Sequence, residues 1–102
     1  MLFGHAFKPG LLSDMIELEV QIRNKAGIHT RPASLLVKLA AKFKSEFFII
    51  KEGFQINGKS IIGVMSLAAE YGSKLTLKFD GSDEVKASEE ITKYFEEGFG
   101  EL

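Results

Sequence analysis

From Met15 the chain alternates apolar and polar side chains. Ile16, Leu18, Val20 and Ile22 are interleaved with Glu17, Glu19, Gln21 and Arg23. That period of two predicts a strand with one wet face, the cleanest in the chain. Asn24-Lys25-Ala26-Gly27 is turn chemistry. Beyond it Leu35, Leu36, Leu39, Ala40 and Phe43 recur at helical spacing with lysines between them. The helix is predicted to start at about Thr30–Pro32, with Pro32 suited to the first helical position, where a missing N–H costs nothing.

Phe47-Phe48-Ile49-Ile50 predicts a second strand and Phe54-Gln55-Ile56 the start of a third. Two hairpin turns compete between and after them. Lys51-Glu52-Gly53 reads as a tight connection, and Asn57-Gly58, a strong turn dipeptide, is the competing reading. Ser60 precedes Ile61, Ile62, Val64, Met65 and Leu67, which predicts a short helix capped by Ser60 and closed by Tyr71-Gly72-Ser73. Leu75, Leu77 and Phe79 alternate with Thr76 and Lys78 as a fourth strand. Asp80 to Glu84 is a turn leading to an N-cap, and Ala87, Ile91, Tyr94, Phe95 and Gly98 share a face of the last helix. The order β-α-β-β-α-β-α implies an α+β fold, a mainly antiparallel sheet with helices on one face.

Residues 1–14 show neither period and contain Pro9-Gly10. They are expected to be a flexible extension, with 15–102 forming a single domain. The 45% apolar and 26% charged content is that of a globular chain, and the net charge of −1 gives no case for nucleic acid. There is no cysteine, so thiol nucleophiles, disulfides and thiolate metal sites are excluded. Two distant histidines make no zinc cage. No apolar run approaches the ~20 residues of a membrane helix, and the N-terminus lacks a charged n-region. A soluble cytoplasmic protein is expected, monomeric because no large apolar surface is evident, with neither metal nor cofactor.

The chemistry concentrates in Gly27-Ile28-His29-Thr30-Arg31-Pro32-Ala33-Ser34. His29 stands before the helix that Pro32 opens, where the first N–H groups lack intrahelical partners and the dipole leaves about +0.5 charge. Such an end suits phosphate. Thr30 and Arg31 offer backbone N–H groups there, and the Arg31 guanidinium can grip phosphoryl oxygens in pairs. A neutral imidazole nitrogen is a competent nucleophile near pH 7. The bland alternative is a histidine that caps the helix or decorates the surface.

"GIHTRPAS" followed by "KSIIGVMSL", at this separation, resembles the HPr family, histidine-containing phosphocarriers of the phosphoenolpyruvate-dependent sugar phosphotransferase system. The resemblance runs from Met15 to the C-terminus. It implies an open-faced sandwich, a four-stranded antiparallel sheet with three helices on one face. It implies phosphorylation of His29 at Nδ1 by enzyme I, support of the phosphoryl group by Arg31, and donation to the A domains of sugar permeases. Such a protein is a stoichiometric carrier rather than an enzyme.

The resemblance also places the hairpin at Glu52-Gly53 and aligns Ser60 with the serine that an HPr kinase modifies. It implies a partner surface of Thr30, Ser34, Ile61, Ile62 and Met65, although helical periodicity alone would put at least one of the last three in the core. The tail "EEGFGEL" is expected to lie only loosely near the site, with no role. Two other functions stay open: a regulatory protein signalling through phospho-Ser60 or phospho-His29 without sugar transport, and a binding module in which His29 only caps. A diverged relative of the family lacks the histidine; here it is present.

Overall fold

A computed structural model describes residues 15–102; the expected extension 1–14 lies outside the described residues. The strands are β1 (Ile16–Gln21), β2 (Glu46–Lys51), β3 (Phe54–Asn57) and β4 (Lys74–Asp80). The helices are α1 (Thr30–Ala40), α2 (Ile61–Ser66) and α3 (Glu84–Glu96), and a 3₁₀ turn spans Gly98–Gly100. The sheet order is β1-β4-β2-β3 with every neighbouring pair antiparallel. This is the open-faced α+β sandwich expected from the sequence.

Alternation decides which face is covered. Ile16 and Val20 of β1, Phe47 and Ile49 of β2, and Leu75, Leu77 and Phe79 of β4 point to the helices and are buried. They meet Leu36 and Ala40 of α1, Val64 of α2, and Ala87, Ile91 and Phe95 of α3 in one core. Phe47 and Phe79 are register partners and stack with centroids 4.9 Å apart. Each such side chain contributes about 1.5–3 kcal/mol by leaving water. Glu17, Glu19 and Gln21 stand on the other, wet face.

Several local expectations shift. Pro32 occupies the third helical position rather than the first, a place whose N–H would still lack an intrahelical acceptor. The hairpin turns at Glu52 (φ 51°) and Gly53 (φ 83°), where the resemblance placed it, and not at the competing Asn57-Gly58. The latter pair has other work. Gly58 passes so close to Phe47 that a Cβ would lie 2.2 Å from its ring, and its N–H donates to the Phe47 carbonyl at 2.7 Å. Asn57 Oδ1 accepts from Lys59 N–H, and its carbonyl from Ser60 N–H, steering the chain into α2. That helix ends at Ser66, well before Tyr71. Asp83 precedes α3 but does not cap it; its carboxylate accepts from Lys44 N–H and from Ser45 N–H and Oγ–H. These bonds, the Ser45 hydroxyl foremost, hold its pKa down at about 2.

Candidate functional site

The site is built on a loop that closes on itself. Gly27 N–H donates to the Asn24 carbonyl at 3.1 Å, and Asn24 Nδ2 donates to the Gly27 carbonyl at 2.8 Å. Ile28 N–H donates to the Ala69 carbonyl, tying the loop to the chain beyond α2. Gly27 has φ +72°, and a Cβ there would lie 2.6 Å from that same carbonyl oxygen, so only glycine fits. His29 follows at the N-cap of α1 with extended backbone. Its side chain makes no capping bond, which removes the bland reading of this residue as a cap. The Thr30 and Arg31 N–H groups have no acceptor among the described residues.

What the imidazole does contact is Glu101. His29 Nε2 lies 2.9 Å from Oε2 and 3.2 Å from Oε1. Arg31 donates to Glu101 Oε2 at 2.7 Å and, at 3.5 Å, to the Phe99 carbonyl. Asn24 Nδ2 donates to Glu101 Oε1 at 2.8 Å. The Glu101 pKa is lowered, first by the Asn24 hydrogen bond, with Arg31 and His29 adding to it against desolvation. An ionised carboxylate only accepts, so Nε2 must carry the hydrogen. The lone pair of the neutral ring is then on Nδ1. The cluster thus joins a nucleophilic nitrogen of fixed tautomer, a guanidinium and open helix N–H groups, an arrangement suited to a phosphoryl group.

Residues 16–97 match the family model described as the PTS HPr component phosphorylation site. The chain belongs to the HPr family. Among curated relatives, the phosphocarrier protein HPr of Treponema pallidum is 41% identical over 87 residues, covering 85% of this chain and 99% of its own. The HPr-like protein Crh of Bacillus subtilis is 42% identical over 83 residues, with 81% and 98% covered. Among solved structures, HPr-C-His from Thermoanaerobacter tengcongensis superposes with a TM-score of 0.82 at 39% identity, covering 85% of this chain and 98% of its own. The HPr family is one of phosphocarrier proteins, and these relatives include both HPr and Crh.

The tail corrects an expectation. "EEGFGEL" was expected to lie only loosely near the site; instead the residue that engages His29, Arg31 and Asn24 together is Glu101. Gly98, Phe99 and Gly100 have successive φ values of 60°, 57° and 78°, which bend the chain back after α3. Phe99 anchors the bend, buried against Phe95 and Tyr94. Its burial opposes the strain of a left-handed non-glycine residue. The local signal available in the sequence was an apolar residue between two glycines followed by an acid.

Ser60 caps α2, its Oγ accepting from Gly63 N–H at 3.1 Å. Ile61, Ile62 and Met65 are all exposed, Ile62 at 78%, while Val64 and Leu67 supply the buried face. No member of the trio is in the core, contrary to what periodicity alone suggested, because a six-residue helix buries only one narrow stripe. Thr30 is exposed and Ser34 half-buried on α1, which packs against α2. Among the described residues no group of acids and histidines is placed to hold a metal ion, and no helix is long and apolar enough to cross a membrane.

Proposed function

We propose that this HPr-family chain is a phosphocarrier in which His29 Nδ1 accepts a phosphoryl group from phospho-enzyme I and passes it to the A domains of sugar permeases. The observation that carries this reading is the Glu101 contact to Nε2, which leaves the Nδ1 lone pair free beside the N-terminus of α1. In the transfer, the Nδ1–P bond forms as the donor's bond to phosphorus breaks, and the electron pair returns to the donor. Arg31 leaves the Glu101 carboxylate for the phosphoryl oxygens, and the Thr30 and Arg31 N–H groups take up the remaining charge. Glu101 stays on the Nε2–H, which bears positive charge as the ring is phosphorylated. The carrier is consumed and regenerated stoichiometrically, and the working unit is residues 15–102.

Thr30, Ser34, Ile61, Ile62 and Met65 form the partner surface in this reading. The exposure of the α2 trio supports it, since large apolar side chains without a cover suit docking. Ser60 at the edge of that surface is the regulatory position. Phosphate there adds about −1.5 to −2 charge, repels an acidic partner and slows transfer to His29. A Ser60→Asp protein is expected to accept phosphate from enzyme I more slowly than wild type; equal rates refute the regulatory role. The second reading is a regulatory protein signalling through phospho-Ser60 or phospho-His29 without sugar transport. What supports it is that the relatives include Crh of Bacillus subtilis, described as a catabolite repression HPr.

The deciding experiment is incubation with phosphoenolpyruvate, Mg²⁺ and catalytic enzyme I, followed by intact mass and acid treatment. One acid-labile phosphoryl group, absent in His29→Ala, is expected. No uptake by the folded protein rejects the carrier and moves attention to Ser60.

A further inference from the structure

Asn24 is 1% exposed, and the oxygen of its amide has no hydrogen-bond partner among the described residues. The orientation of the amide is the cause. Asn24 Nδ2 donates to the Gly27 carbonyl and to Glu101 Oε1, each at 2.8 Å. Both partners only accept, so the nitrogen must face them and the oxygen is left over. A buried acceptor without a donor is a cost that an apolar side chain of similar size avoids.

Local structure does not account for that cost. Asparagine favours turns because its side-chain oxygen accepts from a backbone N–H two residues on. Here that oxygen accepts from no backbone group. The turn is closed by the backbone itself, Gly27 N–H donating to the Asn24 carbonyl. The Gly27 carbonyl has a second donor in His29 N–H at 3.1 Å, so it stays paired without the amide. The bond that the local chain cannot replace is the one to Glu101, 77 residues away.

Glu101 has three side-chain partners in Asn24, Arg31 and His29. In the carrier reading Arg31 leaves the carboxylate for the phosphoryl oxygens. Of the three, Asn24 is then the donor that still fixes the carboxylate from outside the imidazole.

We propose that Asn24 is a positioning residue for phosphoryl uptake, seating the Glu101 carboxylate on His29 Nε2 so that the lone pair stays on Nδ1. The inference deepens the carrier reading of His29 and rests on it. Burial keeps Asn24 out of reach of a partner protein. It therefore acts on the ring through Glu101 and not on docking.

The test is Asn24→Leu in the full chain, with Asn24→Ala as a second variant that adds no bulk. In the neutral ring, nitrogen chemical shifts of His29 are expected to show a smaller share of the Nε2–H tautomer. The 98–102 amides are expected to exchange faster with solvent, while the urea midpoint stays near that of wild type. In transfer from phospho-enzyme I, kcat is expected to fall roughly tenfold with KM unchanged. In a Glu101→Ala background the same Asn24 substitution is expected to change neither, because the two residues act as one unit. A folded variant with the wild-type tautomer share overturns the proposal. So does a rise in KM alone, or an equal loss of rate in the Glu101→Ala background. Failure of both variants to fold overturns it too, since Asn24 is then structural. The tautomer and exchange measurements need no phosphoryl donor, and uptake by wild type tests the carrier reading alone, so the two failures are distinguishable.

Discussion

At the scale of single residues, one carboxylate organises the site. Glu101 is 17% exposed and meets His29, Arg31 and Asn24 at hydrogen-bond distance. Glu101→Gln keeps the size but loses the charge, and its amide can donate as well as accept. Nε2 is then expected to carry the hydrogen less uniformly, which nitrogen chemical shifts of His29 report. Arg31→Lys keeps the charge but loses the planar fork, and misplacement of this kind slows phosphoryl uptake on the order of tenfold to a hundredfold. Stopped-flow transfer from phospho-enzyme I measures it. The lowered pKa of Glu101 also has a sign. The folded protein holds the ionised form more tightly than the unfolded chain, so the stabilisation is complete above the ordinary carboxylate pKa. It is lost as pH falls through the lowered value. The tail is therefore expected to stay clasped through the mildly acidic range and to release only below it, as NMR of the 98–102 amides would show.

At the scale of elements, caps and close approaches fix where helices begin. Ser60→Ala removes the acceptor for Gly63 N–H and is expected to cost ~1 kcal/mol in urea unfolding. Gly27→Ala sets a Cβ against the Ala69 carbonyl at positive φ, and a penalty of roughly 1–3 kcal/mol is expected together with displacement of His29. Asp83 joins α3 to the turn before β2 through Lys44 and Ser45. Its folded pKa of about 2 lies below the ordinary 3.8, so its contribution is present above about 3.8 and lost toward 2. Asp83→Asn is expected to lower the melting temperature at pH 7 and to shrink the difference from wild type as the pH approaches 2. The alternation of β1 and β4 was legible because period and burial coincide there, and the helical spacing in α1 was legible in part: Leu36 and Ala40 are buried, but Leu35 is exposed and Phe43 lies beyond the helix end. Asn57-Gly58 does open a turn, but the competing reading of it as the hairpin failed because nothing local shows that Phe47 lies beneath it.

At the scale of the whole molecule, β4 sits between β1 and β2, and its three inward side chains, Leu75, Leu77 and Phe79, are fully buried. Phe79 stacks on Phe47 and faces the helices with no exposure. Phe79→Ala is expected to cost ~3–5 kcal/mol, a large share of the stability of so small a domain, and denaturant unfolding would show it. The fold order, the place of His29 and Arg31 at a helix start, and the cap at Ser60 were determined by the sequence itself. Each depends on neighbours within a few positions, where periodicity, proline and capping chemistry act. Tertiary structure alone decided that Glu101 closes the site and that Ile61, Ile62 and Met65 all stay exposed. These outcomes depend on chain segments far apart in sequence meeting in space, and no local pattern records which of them will meet.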